Sequence, residues 1–238
     1  MVKVSDYFDF DWKKYRNLVD KTVSKKYFLD YSIGENNNQP IDSFYVSEKY
    51  KLLYIPISKN ASTSIKNSLD FKPIYQVPKI KNKFDLEIPE YYLKYYKIFV
   101  ITRDPRSRWI SGFNQILSEL NFALKDKKAK EIILELKSKK FIFDGHTLPQ
   151  LSFIDYCFSP SKFDFELHLI KLDKNIDEKL SELCQESVKI KHNNSMIKDQ
   201  LKIFNYNFCC KIYDDYCLKQ KEFIDLYEQD FSIYKNSI

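Results

Sequence analysis

The stretch YKIFVITRDPRSRWISGF, Tyr96 to Phe113, decides how this chain folds. Its first part, Tyr96 to Arg103, is an apolar, partly β-branched run of the length of a buried strand. Asp104 then offers an N-cap oxygen and Pro105 a preset φ at the first helical position, so a helix is expected to begin there. From that start Trp109, Ile110, Phe113, Ile116, Leu117 and Leu120 fall on one helical face. A buried strand feeding a capped helix is the building unit of an α/β fold.

The unit recurs on both sides. Lys49 to Ile57 (KYKLLYIPI) reads as a buried strand, and Ser58 to Ser64 (SKNASTS) as a loop turning into a helix that opens STSIKNSL. Phe165 to Leu172 (FELHLIKL) alternates as a strand, and Ile176 to Cys184 is an amphipathic helix. Further helices are expected over Ala129 to Lys139 and over Tyr216 to Tyr227, the latter burying Leu218, Phe223, Ile224 and Tyr227. Lys72 to Pro89 reads as irregular, and Gly34 to Pro40 (GENNNQP) as a loop. The expectation is one α/β domain over residues 1–238, with an N-terminal arm (1–40) ahead of the core (41–238). Its central, mainly parallel sheet is flanked by helices on both faces. Ligands of such sheets lie beyond the carboxyl ends of the strands.

Composition narrows the class. The 238 residues are 44% hydrophobic and 16% aromatic, enough for a large core and unlike a disordered chain. A formal charge of +6, 39 basic against 33 acidic residues, suits an anionic ligand but is too mild for a nucleic-acid binder. The five cysteines show no C-x-x-C spacing, which suggests neither a zinc site nor a disulfide framework and fits a reducing, cytoplasmic compartment. Cys209 and Cys210 are expected as a strand or core pair. The charged N-terminus lacks a signal-peptide core, and no window reaches the roughly 18 apolar residues of a membrane span.

Arginine placement says more than total charge. The chain holds only Arg16, Arg103, Arg106 and Arg108, so three of its planar, bidentate donors lie within six residues. That geometry suits phosphate, although a short run of surface charge is the plainer account. Arg103 ends its strand and Ser111 lies two turns into the next helix, so the two can face one anion. Arg106 and Arg108 are read individually as facing solvent or pairing with Asp104.

The loop Ser58 to Ser64 is a second anion-binding candidate. Backbone N–H groups at a helix start point at an anion, Ser62, Thr63 and Ser64 add hydroxyls, and Lys59 brings a charge. A Ser/Thr cap beside a surface lysine is the plainer account. The loop has no glycine and its lysine precedes the turn, so the ATP-type pattern G-x-x-x-x-G-K-[ST] is absent. Two phosphate sites on two strand ends suit a nucleotide with both a 3′ and a 5′ phosphate.

YIPISKNASTSIKNSL resembles the 5′-phosphosulfate loop of sulfotransferases that use 3′-phosphoadenosine-5′-phosphosulfate (PAPS), in the carbohydrate sulfotransferase family. FVITRDPRSRWISGF resembles that family's 3′-phosphate motif. FDGHTLPQLSFI is similar to its His-x-x-Pro-Gln segment, KHNNS to a His-x-Asn-x-Ser stretch, and LYEQDFSIY to its closing Tyr-x-x-Asp-Phe helix. The resemblance spans Tyr50 to Tyr234. Two positions depart: Ser58 stands where a proline commonly precedes the lysine, and Ser62 where a glycine is usual. Asn60 is then the loop residue expected to tolerate a left-handed turn.

The resemblance implies a P-loop-like sulfotransferase fold and in-line sulfuryl transfer from PAPS to a hydroxyl, with adenosine 3′,5′-bisphosphate (PAP) as product and no metal. It implies Lys59 at the bridging oxygen of the phosphosulfate. Asn60, Ala61, Ser62, Thr63 and Ser64 would hold the 5′-phosphosulfate, and Arg103 and Ser111 the 3′-phosphate. The acceptor is expected to be a glycan. His146, after the Asp144-Gly145 turn, is the expected general base, with Asp144 or a glutamate as the alternative. His168 is read as structural, and His192 as near nucleotide or acceptor. Competing readings are a magnesium-dependent nucleotide kinase, a non-catalytic nucleotide or anionic-glycan binding module, and a nucleic-acid binder.

Overall fold

Four consecutive residues, Leu52 to Ile55, are wholly buried although their side chains alternate between opposite faces of a sheet, so apolar layers cover both faces. The computed structural model describes residues 2–3, 43–75, 88–119, 146–157, 166–191 and 200–238. The expected helix over Ala129 to Lys139, Asp144, His192 and most of the N-terminal arm lie outside those residues.

The strands are β1 (Val2–Lys3), β2 (Ser43–Ser47), β3 (Leu52–Ile55), β4 (Lys72–Tyr75), β5 (Lys97–Thr102) and β6 (Glu166–Lys171). The helices are α1 (Ser62–Ser68), α2 (Glu90–Tyr95), α3 (Pro105–Glu119), α4 (Gln150–Cys157), α5 (Ile176–Cys184), α6 (Gln200–Ile212) and α7 (Lys221–Asn236), with a π-helical turn at Tyr213–Cys217. Sheet order is β1-β6-β5-β3-β2-β4.

The sheet is mixed rather than mainly parallel. The central pairs β3–β5 and β5–β6 are parallel; β2 pairs antiparallel with both β3 and β4, and β1 with β6. The difference comes from the edges. A hairpin joins β2 to β3, closing with Lys51 in a left-handed conformation (φ 49). Lys72–Tyr75, expected to be irregular, pairs with β2 at the sheet edge, the place in a sheet where a proline such as Pro73 is tolerated. Val2 and Lys3, at the start of the expected arm, add to the opposite edge against Leu167 and Glu166.

Alternation along the strands sorts the core into two layers. Leu53, Ile55, Ile98, Val100, Leu167 and Leu169 pack with α3, α4 and α7 through Trp109, Phe113, Phe153, Phe223 and Tyr227. Leu52, Tyr54, Phe99, Ile101 and Ile170 pack with α1 and α5 through Ile65, Leu180 and Leu183. Trp109 stacks on Phe113 at 4.8 Å between ring centroids, a pair that adds about 1 kcal/mol to the burial of the two rings together. His168 lies buried in β6, and burial together with the Lys97 charge lowers its pKa.

The C-terminal region differs from expectation. Helix is interrupted after the π-helical turn and restarts at Lys221, so the apolar period is reset. Phe223, Leu226 and Tyr227 are buried, while Leu218 and Ile224, expected in the core, are exposed at 42% and 46%. Cys209 and Cys210 stand on α6; Cys209 is buried and Cys210 partly so.

Candidate functional site

Lys59 and Ala61 both take left-handed backbone conformations, with φ of 68 and 58. Each costs about 1 kcal/mol for a residue with a Cβ, so the turn between β3 and α1 is held from outside. Ala61 occupies the N-cap of α1 and provides no side-chain cap. At the neighbouring strand end Asp104 caps α3 in the expected way, accepting from Ser107 N at 2.8 Å and from Ser107 Oγ at 2.8 Å. The first turn of α1 lacks such an acceptor.

Asn60 holds the turn. It is not left-handed; its neighbours are. It is wholly buried, and its Nδ2 donates to Ile101 O at 2.6 Å and to Gln150 Oε1 at 2.6 Å. Its backbone N–H donates to Ile57 O at 3.2 Å. All the donors of Asn60 therefore go to protein acceptors.

Arg103 lies one residue past the end of β5 and turns back toward β3. Its Nη1 donates to Lys59 O at 2.9 Å. It is paired with no carboxylate among the described residues, and burial lowers its pKa, opposed by the charges of Tyr206 and Asp104. Lys59 extends to α3, where Nζ donates to Gln115 Oε1 at 3.1 Å. Ser111 lies one turn before Gln115 on that helix and is buried.

His146 lies in a turn against α3. A Cβ built on Gly112 would stand 2.2 Å from His146 O and 2.7 Å from its carbonyl carbon, so only glycine permits this approach. The structure thus brings Lys59 and Arg103 together at the tips of adjacent parallel strands, and brings Ser111 and the His146 backbone to one helix beside them. At the start of α1 Ser62 is partly exposed, Thr63 exposed and Ser64 buried. Lys191, the last described residue before His192, donates its N–H to Ser68 Oγ at 2.8 Å.

Four residues escaped the sequence reading or were read in part otherwise. Arg108 neither faces solvent nor pairs with Asp104: it is wholly buried, with Nε donating to Ser58 O at 3.0 Å, Nη1 to Leu148 O, and its guanidinium 5.3 Å from the Phe153 ring centroid. Gln150, also wholly buried, accepts from Arg103 N at 2.8 Å and donates through Nε2 to Arg103 O at 2.9 Å. Asp230 on α7 accepts from Gln150 N at 2.6 Å and Leu151 N at 2.9 Å, capping α4 from a distant helix. Burial pushes Asp230 up to about 6, against the pull of Arg108 and the two amides. Nearby, Tyr227 Oη donates to Thr147 O. Only the similarity of the HTLPQ and LYEQDF segments to known motifs pointed to Gln150 and Asp230. Arg106, also read as solvent-facing or bound to Asp104, is partly exposed, but its partner is Asp214, in a two-point pair with Nε–Oδ1 3.2 Å and Nη2–Oδ2 2.7 Å.

Among the described residues no group of three His, Cys, Asp or Glu is placed to hold a metal, and no helix is long and apolar enough to cross a membrane. The chain matches no family model, no curated protein and no solved structure.

Proposed function

We propose that this chain transfers a sulfuryl group from PAPS to a hydroxyl acceptor. One observation carries the reading: Arg103, partly buried and without a carboxylate partner among the described residues, reaches the strained Lys59 turn from the adjacent parallel strand. Holding a cation out of water without a counter-ion is costly unless an anion joins it. A donor with phosphate at both ends of one nucleoside places anions against two strand tips together. Such a ligand would meet Arg103 and the Lys59 turn at once. A parallel centre with the loop between β3 and α1 also suits a P-loop-like sulfotransferase fold.

In this reading Lys59 Nζ, now on Gln115, neutralises charge at the oxygen that leaves the sulfur, as charge builds there during in-line displacement. The N–H groups and hydroxyls of Ser62 to Ser64 hold the phosphosulfate. Arg103 and Ser111 hold the 3′-phosphate. Asn60 acts by fixing the turn, because its donors are already used. His146, set against α3, takes the acceptor proton. A sulfuryl group carries less charge than a phosphoryl group, so the transfer needs no divalent cation. The formal charge of +6 suits an anionic glycan acceptor, and the free thiols Cys184, Cys209, Cys210 and Cys217 suit a cytoplasmic setting.

Calorimetry with adenosine 3′,5′-bisphosphate and with ATP, each with and without magnesium, tests the reading. The expected result is metal-independent preference for the bisphosphate with a Kd on the order of 1 μM, about −8 kcal/mol. Magnesium-dependent ATP binding with none for the bisphosphate would replace it with a kinase. Bisphosphate binding without label transfer from radiolabelled PAPS to any hydroxyl acceptor would leave a binding module. Lys59→Ala and His146→Ala are expected to slow transfer while retaining most nucleotide affinity, and Arg103→Ala to weaken the bisphosphate at least about tenfold.

A further inference from the structure

A closed ring of bonds joins the two strand tips. Asn60 Nδ2 donates to Gln150 Oε1 at 2.6 Å, and that oxygen also accepts from Arg103 N at 2.8 Å. Gln150 Nε2 donates to Arg103 O at 2.9 Å, Arg103 Nη1 donates to Lys59 O at 2.9 Å, and the peptide from Lys59 to Asn60 closes the circuit. One amide side chain therefore touches both the turn after β3 and the backbone after β5. It comes from neither, standing instead at the start of α4.

The amide is itself fixed. Gln150 is 0% exposed, and its backbone N–H and that of Leu151 both donate to Asp230, at 2.6 and 2.9 Å. A glutamine held at both ends cannot follow one strand tip without the other. Its two-point contact with Arg103 fixes where that backbone lies relative to Asn60, and so the span between the arginine and the Lys59 turn.

We infer that Gln150 is a positioning residue that sets the distance between the two anion-binding elements, so that both ends of one doubly phosphorylated nucleoside engage at once. The ligand in this inference rests on the sulfuryl-transfer reading; the ring of bonds does not. Without the amide each element keeps its own donors, but the two no longer hold one span. The energetic signature is a loss of synergy, not of charge. A bisphosphate, which needs both elements in register, suffers more than a nucleotide that uses either alone.

The test compares adenosine 3′,5′-bisphosphate, 5′-AMP and 3′-AMP by calorimetry on the full chain and on Gln150→Leu and Gln150→Glu. Leucine removes all three side-chain bonds. Glutamate keeps the oxygen that Asn60 and Arg103 N share and loses the donor to Arg103 O. In Gln150→Leu the bisphosphate is expected to weaken at least about tenfold and each monophosphate less than about threefold. Gln150→Glu is expected to lie between this variant and the parent. If Gln150→Leu does not fold, the glutamate variant decides by the same comparison. Equal loss for all three ligands, or bisphosphate affinity unchanged in the folded variants, overturns the inference while leaving the sulfuryl-transfer reading intact. A parent chain that takes up no bisphosphate ends both.

Discussion

Arg108 Nε donates to the carbonyl oxygen of Ser58 at 3.0 Å, tying the first helix turn after β5 to the last residue before the Lys59 turn. The same guanidinium reaches Leu148 O and its charge acts on Asp230, so one buried cation joins four separate segments. Removing it takes one donor from each of two carbonyls and the cation from a buried carboxyl. Arg108→Leu is expected to cost about 3–5 kcal/mol, a fall in Tm of roughly 10 °C for a chain of this size. Arg108→Lys is expected to recover only part, since one ammonium cannot span both carbonyls. Thermal denaturation followed by circular dichroism reads both, and a neutral Arg108→Leu would refute the assignment.

Gly112 is a point of close contact between α3 and the His146 turn. The obstacle to a Cβ there is a backbone carbonyl, at 2.2 Å, and no flexible side chain can yield in its place. Gly112→Ala is expected to destabilise by about 2–3 kcal/mol in denaturant titration, despite the better helix propensity of alanine. A gain in stability would mean that the turn stands further from the helix.

Ala61 bears the opposite strain. Its φ of 58 penalises a Cβ that makes no cap, so Ala61→Gly is expected to raise stability by about 1 kcal/mol. Chemical denaturation at neutral pH measures it, and a less stable variant would contradict the left-handed conformation.

Asp230 sets a pH dependence. Its folded pKa of about 6 lies above the ordinary 3.8, so the folded state binds the proton more tightly than the unfolded chain. The contribution is present in full below about pH 4 and is lost as pH rises through about 6, up to about 3 kcal/mol in total. Asp230→Asn is expected to remove this slope, whatever its effect at one pH. Unfolding free energies at pH 4.5, 6 and 7.5 provide the check, and parallel curves for parent and variant would count against the burial of that carboxyl.

Local signals made much of the frame readable. The Asp104-Pro105 start and the Ile176–Cys184 helix lie where cap chemistry and apolar spacing put them, because both depend on neighbours in sequence. The hairpin strand Ser43–Ser47 was not foreseen: its short, half-polar SFYVS has no pattern until β3 and β4 flank it. Leu218 and Ile224 were misplaced because the π-helical turn and the restart at Lys221 shift the helical phase. In the site, Lys59 and Arg103 were visible as donors just past strand ends, and Ser111 as a hydroxyl on the helix that follows. The roles of Asn60, Arg108 and Gln150 were not, since each is defined by partners 40 to 90 residues away.

The carboxylate that caps α4 belongs to α7, so the amides of Gln150 and Leu151 are protected by a helix remote in sequence. Their hydrogen exchange should therefore report the undocking of α7, with rates that track its excursions more than the fraying of α4. Undocking of α7 is therefore expected to loosen the turn around Lys59 through Gln150, which would give the surface of α7 leverage over the strand tips.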